Sequence, residues 1–278
     1  MMIIIDGKKI QEKILTSVKK QVEQLGFQPV FTDVLVGKDP ASIQYMRMKE
    51  RMAEKVGIHF HNASFPANIS TEELIEEIKK LNYLPNMCGI IVQLPLPETI
   101  DKRLILDSID PELDVDTLGL VASTEFNNSK RDVGFPAALA CMYILDSLQM
   151  MDLVNKNIVV LGQGELVGKP MATLLQLRRL HPSIVDSETK DRRKILKEAD
   201  IIISGIGRGK FITGDMLKKG VILIDAGTSE SNGGIVGDVD LESVKDVASF
   251  VSPVPGGVGP VTVAMLLNNV LKVAQKIK

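Results

Sequence analysis

Asn157-Ile158-Val159-Val160-Leu161-Gly162-Gln163-Gly164-Glu165-Leu166-Val167-Gly168-Lys169-Pro170 is an apolar run that ends on spaced glycines and then a proline. The run has the composition of a buried parallel strand, and Pro170 suits the first turn of a helix, so the stretch reads strand, tight turn, helix. Glycines let the backbone turn sharply and approach a pyrophosphate, whose charge a helix N-terminus favours. The spacing is GxGxxxG instead of the usual GxGxxG, so the context has to carry the assignment. Met171 to Leu180 continues as helix, Ser183-Ile184-Val185 follows as a short strand, and Asp186 closes it. An acid about 20 residues past the glycines can accept from a ribose 2′-hydroxyl and repels a 2′-phosphate. Glu188 adds negative charge and Gln163, not an arginine, follows the first glycine, which favours NAD over NADP. The competing reading of Asp186 and Glu188 is an exposed acidic turn.

Working outward, the strand Ile201-Ile202-Ile203 ends in Ser204-Gly205, and Val221 to Ile224 runs through Asp225-Ala226 into Gly227-Thr228. Small residues at strand ends leave room for a dinucleotide across the sheet edge. The candidate cofactor residues are therefore Gly162, Gln163, Gly164, Val167, Gly168, Pro170, Asp186, Ser187, Ser204, Gly205, Gly227 and Thr228. The first half alternates in the same way. Ile3 to Ile5 reads as a strand, Ile10, Ile14, Val18 and Val22 keep helical spacing, and Val30 to Val36 is a strand. Ile58 to His61 and Cys88 to Val92 are further strands, separated by a helix that starts at Ser70. Strand and helix in alternation give an α/β fold. Val121 to Val133 is polar and aperiodic and reads as a linker between two domains, 1–133 with 259–278 and 134–258. The expectation is two α/β domains around a cleft, the second a Rossmann-like parallel sheet, with a helix running to Lys278 that packs back on the first.

In Gly37-Lys38-Asp39-Pro40-Ala41-Ser42-Ile43-Gln44-Tyr45-Met46-Arg47-Met48-Lys49, a helix starting near Pro40 puts Tyr45 and Lys49 one above the other. A lysine in a partly apolar pocket can exchange protons near neutrality, which makes Lys49 a candidate acid/base group. The plainer reading has Tyr45 in the core and Lys49 in solvent. Gln93 ends the strand before Leu94-Pro95-Leu96-Pro97, at the carboxyl edge where open sheets meet ligands. Asp114 and Asp116, with period two, share a face; they bind a ligand or cap a turn.

Composition limits the alternatives. The 278 residues carry 33 basic and 35 acidic side chains, a net charge of −2 with no basic block, so nucleic acid and anionic membrane are poor partners and a small molecule is expected. Cys88 and Cys141 are too few and too far apart for a disulfide framework, and His59 and His61 lack a third ligand, so no metal is expected. No apolar run reaches the ~18 residues of a membrane span and Asp6 comes too early for a signal peptide, so the expected location is the cytoplasm.

The chain resembles the bifunctional methylenetetrahydrofolate dehydrogenase/cyclohydrolases over nearly its whole length. The resemblance rests on Pro253-Val254-Pro255-Gly256-Gly257-Val258-Gly259-Pro260 with Thr262, on Gly37 through Lys49, and on Gln93-Leu94-Pro95-Leu96-Pro97. Asp114-Val115-Asp116, Val167-Gly168-Lys169-Pro170 and Gly237-Asp238-Val239-Asp240 add to it. It implies oxidation of methylenetetrahydrofolate with a nicotinamide dinucleotide, then hydrolysis to the formyl compound, in a homodimer built through the second half. It implies that Lys49 is the acid/base group, that Tyr45 lines the folate ring system, that Gln93 holds the lysine and that Asp116 binds the pterin. Leu94, Pro255, Gly256, Gly257 and Thr262 are implied to border the folate.

The departures are as informative. Thr117 stands where the family usually has Gly, and Leu113 where lysine is common. Phe135-Pro136-Ala137-Ala138 replaces Pro-Cys-Thr-Pro, Gly162-Gln163-Gly164 replaces Gly-Arg-Ser, and Asp186-Ser187-Glu188-Thr189 replaces His-Ser-Lys-Thr. The last two exchange basic for neutral or acidic groups beside the cofactor, which leaves NAD favoured and NADP as the alternative carrier. A hydrolase that has lost hydride transfer and a non-catalytic folate- or nucleotide-binding regulator are the rival functions.

Overall fold

A computed structural model of the chain describes residues 2–148, 152–231 and 233–277. Its strands are β1 (Ile3–Ile4), β2 (Val30–Val36), β3 (His59–Phe65), β4 (Met87–Val92), β5 (Ile158–Leu161), β6 (Ser183–Val185), β7 (Ile201–Ser204), β8 (Ile222–Asp225), β9 (Ser229–Ser231), β10 (Gly234–Val236) and β11 (Phe250–Val251). Its helices are α1 (Gly7–Val22), α2 (Pro40–Lys55), α3 (Thr71–Asn82), α4 (Lys102–Asp107), α5 (Leu120–Asn127), α6 (Pro136–Ser147), α7 (Gly168–Leu177), α8 (Arg192–Glu198), α9 (Leu241–Val244) and α10 (Val258–Ala274). Two compact units result, one of Glu12–Pro136 with Val263–Lys278 and one of Met1–Gln11 with Ala137–Thr262.

The first unit is built on a parallel sheet in the order β3-β2-β4. β2 and β4 are covered on both faces, as their nearly unbroken apolar runs require. Helix α2 opens as expected, with the Asp39 carboxylate accepting from Ser42 N at 2.7 Å and Pro40 in the first turn. Helix α3 begins with a reciprocal cap between Ser70 and Glu73. The C-terminal helix packs on this unit: buried Asn269 donates through Nδ2 to Val115 O at 2.9 Å and to Gly134 O at 2.7 Å. Lys278, where that helix was expected to end, lies outside the described residues.

The second unit holds a parallel sheet in the order β1-β11-β8-β7-β5-β6. Leu161 is in register with Val185 and Ser204, and Ser204 with Asp225, which lines up the carboxyl ends of β5 to β8. Its core is aliphatic, with Val159, Leu161, Ile202, Leu223 and Val251 all buried. Residues 2–11 group here because β1 hydrogen-bonds beside β11. A strand that short carries no pattern to say which sheet it joins.

Two local readings change. The expected linker 121–133 contains helix α5, whose buried Ala122 and Phe126 are four residues apart. Phe126 packs edge-on against Phe135 at 5.2 Å, so tertiary contact supplies what the weak periodicity did not show. β9 and β10, an antiparallel pair, had no strand expected for them.

Candidate active site

The four-residue spacing on α2 does bring Tyr45 and Lys49 together, with Lys49 Nζ 4.9 Å from the Tyr45 ring centroid. Nζ also donates to Gln93 Oε1 at 2.7 Å. Gln93 follows β4 directly, and its own N–H bonds Val34 O at 2.8 Å, so the sheet ladder fixes its position. The lysine is only 2% exposed. An ammonium taken that far from water needs a counter-charge, and Asp33 in the middle of β2 supplies it, with Oδ2 2.6 Å from Nζ. Burial pushes the Asp33 carboxyl above its usual range while the Lys49 charge pulls it back. Sequence reasoning passed over Asp33. The available signal was a carboxylate amid Phe31, Val34, Leu35 and Val36, in a strand with no solvent face.

The two acids after β4 differ in role. Asp114 accepts from Thr117 N at 2.7 Å and Gly119 N at 2.8 Å, so it caps the turn. Arg131 bonds the Pro111 and Asp114 carbonyls of the same segment. Asp116 keeps part of its surface open, and no hydrogen bond among the described residues is recorded for its carboxylate. Burial raises its pKa to about 7, with Lys49 opposing and Asp114 and Asp33 adding to the rise. A carboxyl poised near neutrality beside a buried amine marks a site able to bind and exchange protons. Burial, with Asp116 and Asp33 nearby, pushes the Tyr45 phenol up, so it stays a protonated donor. Thr117, where the family usually has Gly, sits at φ 63° and is buried. A β-branched residue in that left-handed region costs about 1–2 kcal/mol, the reason glycine suits the position.

Asp116 also gives a pH dependence. Its folded pKa of about 7 exceeds the ordinary 3.8, so its contribution to stability is complete below the lower value and is lost as pH rises through the higher. Asp225, raised to about 6 chiefly by burial, acts in the same direction. In Asp116→Asn, urea unfolding at about pH 5 and about pH 8 should show a shallower loss of stability than in the native chain, by up to about 1.4 kcal/mol per unit of removed shift. An unchanged slope would contradict the assignment of Asp116 to a desolvated position.

The glycine turn behaves as the opening stretch predicts. Gly162 has φ 99°, and its N–H bonds Val185 O at 2.7 Å. A Cβ on Gly168 would stand 2.1 Å from Gly162 O, so the helix can begin against the turn only if that residue is glycine. No side chain caps α7, which leaves its first turn able to receive an anion. Buried Val167 and Pro170 flank that start, Gly164 is exposed, and the Gln163 amide donates to Gly162 O at 2.8 Å. Asp186 follows β6. Its Oδ1 accepts from Glu188 N, Thr189 N and Thr189 Oγ1 at 3.0, 3.0 and 2.8 Å, and these bonds, the Thr189 hydroxyl foremost, hold its pKa down. Ser187, after β6, and Thr228, after β8, are exposed. The residues present thus fit a dinucleotide: an uncapped helix start, a glycine cradle and an acid at the next strand end.

Ser204 and Gly227 are also engaged in holding the loops. The Ser204 hydroxyl donates to buried Asp238 at 2.6 Å, and Asp238 accepts from Ile206 N at 2.9 Å and Arg208 N at 2.8 Å. A Cβ on Gly227 would come within 2.1 Å of that carboxylate, and one on Gly205 within 2.9 Å of Val167. Asp225 accepts from Gly227 N at 3.0 Å and Val239 N at 2.8 Å. Pro255 follows a cis peptide bond, as does Pro95 after Leu94. Gly256, at φ 102°, accepts from Gly7 N at 2.9 Å, and the Thr262 hydroxyl donates to Val258 O at 3.1 Å. Tyr45, Lys49, Gln93, Leu94 and Asp116 belong to the first unit; Pro255, Gly256, Gly257 and Thr262 belong to the second. Among the described residues no three His, Cys, Asp or Glu side chains group to hold a metal, and no helix is long and apolar enough to cross a membrane.

Known proteins share this sequence and fold. Residues 5–116 match the family model for the tetrahydrofolate dehydrogenase/cyclohydrolase catalytic domain, and residues 136–278 match that for its NAD(P)-binding domain. The chain is 42% identical over 283 residues to the bifunctional protein FolD of Nautilia profundicola, covering 99% of this chain and 98% of the relative. The crystal structure of the bifunctional FolD enzyme of Campylobacter jejuni superposes with a TM-score of 0.95 at 37% identity, covering 100% of both chains. The Trypanosoma brucei enzyme, complexed with NADP and an inhibitor, superposes at 0.93 and 33% identity, covering 99% of this chain and 98% of its own.

Proposed function

The chain belongs to the tetrahydrofolate dehydrogenase/cyclohydrolase family, and we propose that within it Lys49 is the acid/base group of the hydrolytic step and NAD the preferred carrier. It is a bifunctional enzyme: it oxidises 5,10-methylenetetrahydrofolate to the methenyl compound and hydrolyses that to 10-formyltetrahydrofolate. The observation that carries the Lys49 reading is the amine itself, 2% exposed and 2.7 Å from Gln93, since a binding protein has no use for so costly a group.

In the hydrolytic step water adds to the cationic methenyl carbon and one of its protons passes to the amine form of Lys49. The bond from that carbon to N5 then breaks as N5 takes a proton, leaving the formyl group on N10 and releasing one proton overall. Gln93 fixes the direction of Nζ, and the Tyr45 ring covers the folate ring system. Asp116, whose carboxylate makes no hydrogen bond among the described residues, accepts from the pterin. A nicotinamide dinucleotide, when bound, supplies the acceptor for the hydride lost from the methylene carbon. Gly162 and Gly164 admit its pyrophosphate, Gly168 lets the helix start close against the turn, and Asp186 favours a free ribose 2′-hydroxyl over a phosphate there.

The unit of Glu12–Pro136 with Val263–Lys278 accordingly takes the folate, and that of Ala137–Thr262 the dinucleotide. Family resemblance supports a cytoplasmic homodimer formed through the dinucleotide-binding half. The test is a rate measurement on the purified chain with methylenetetrahydrofolate and either dinucleotide, followed at the methenyl absorbance. Formation and decay of the signal, faster with NAD, are expected. Decay of added methenyl compound without any formation would leave a hydrolase only, and neither would leave a binding protein.

A further inference from the structure

Asp33 is part of none of the motifs that carry the family resemblance, yet it makes the shortest contact of Lys49. It lies on β2 with 0% exposure, between Thr32 and Val34, which are equally buried. A carboxylate so placed is strongly disfavoured unless something compensates it. Neither carboxylate oxygen has a backbone or hydroxyl hydrogen-bond partner among the described residues, and Oδ2 is ion-paired with the Lys49 amine at 2.6 Å. Asp33 therefore does not brace a backbone turn as Asp114 and Asp238 do. What it touches is the acid/base candidate.

The groups that face Lys49 come from four segments. β2 brings Asp33, the end of β4 brings neutral Gln93, and α2 itself brings the Tyr45 ring. From the segment after β4 comes the charge of Asp116, with Asp114 behind it. Among the described residues the one other cation acting on this cluster is Arg131, behind Asp114. Two carboxyl groups thus face the lysine, and Asp33 is the nearer and the fully buried one.

We propose that Asp33 is a positioning residue of the hydrolytic step: seated against Nζ, it holds Lys49 as the ammonium and so sets the lower pH limit of hydrolysis. The inference rests on the reading of Lys49 as the acid/base group. Oxidation of the methylene compound asks no proton of Lys49, so the ratio of the two activities becomes dependent on pH. Below the limit the methenyl compound is made and accumulates; above it hydrolysis keeps pace.

The test is the pH–rate profile of both activities for the native enzyme and Asp33→Asn. The amide can still accept from Nζ but carries no charge. Its hydrolysis profile should move to lower pH by about one unit or more, which is roughly a tenfold faster rate at a pH below the native limit. The oxidation profile should show no matching shift. An unmoved hydrolysis limb overturns the proposal. So does a uniform fall in both rates at every pH, which is what loss of mere structural support would give. If the asparagine variant does not fold, Asp33→Val, whose side chain suits the apolar neighbours of β2, is measured in its place and read the same way. Lys49→Met separates the two claims. Hydrolysis surviving in that variant removes the Lys49 reading, whereas hydrolysis lost there with an unmoved limb in Asp33→Asn removes only the role of Asp33.

Discussion

Lys49→Met is expected to lose about 3–5 kcal/mol of folding stability along with hydrolysis, because it strands the Asp33 charge in a strand that has no access to water. The pair is 0% and 2% exposed and 2.6 Å apart, so neither partner can turn to solvent when the other is removed. The size of the loss should depend on pH. Burial already pushes the Asp33 carboxyl toward its neutral form, and without the amine it protonates more readily. Urea unfolding should therefore show the larger deficit at alkaline pH and a smaller one in acid. Adding Asp33→Val removes the stranded charge, and the double variant should recover most of the stability, a coupling that two independent substitutions would not show. A single variant as stable as the native chain at every pH would mean that the pair is not a buried ion pair.

The second large effect concerns the carrier. With NAD and NADP compared at equal concentration, the native enzyme should favour NAD, and Asp186→Asn should raise kcat/KM for NADP by roughly tenfold while changing NAD much less. The asparagine oxygen can still accept from Glu188 N, Thr189 N and the Thr189 hydroxyl, so the turn after β6 keeps its shape and only the charge goes. That charge is secure in the native chain, since the same three donors hold the carboxyl below its usual range. A native enzyme that prefers NADP by a wide margin would show that Asp186 and Glu188 form an exposed acidic turn and nothing more.

Much of this was legible because two patterns are local. A strand, a glycine turn and a helix lie consecutively in 157–177, and the contact between Gly168 and Gly162 O is set by that short stretch alone. Tyr45 and Lys49 are four apart on one capped helix, so their meeting needed no knowledge of the fold. Gln93 could be placed because prolines stop its strand. What escaped notice depends on residues distant in sequence. Asp33 and Lys49 meet only because α2 packs on β2, and Asp238 reaches Ser204 across 34 positions. β1 joins β11 from the far end of the chain, and α5 is held by Phe135 more than by its own weak pattern. In each case the residue type was a clue: a lone carboxylate in a buried strand, or an acid beside a glycine, announces a partner without saying where it is.

The central claim is that one chain runs both reactions and that the amine of Lys49 serves the hydrolytic one. It is tested most directly in the Lys49→Met/Asp33→Val double variant, once its unfolding curve and folate affinity match those of the native chain. Methenyl formation and methenyl decay are then measured in the same preparation. Decay is expected to fall by about 10²–10⁴, the usual contribution of a positioned acid/base group, with formation reduced far less. Decay at the native rate in that folded, folate-binding variant would contradict the account.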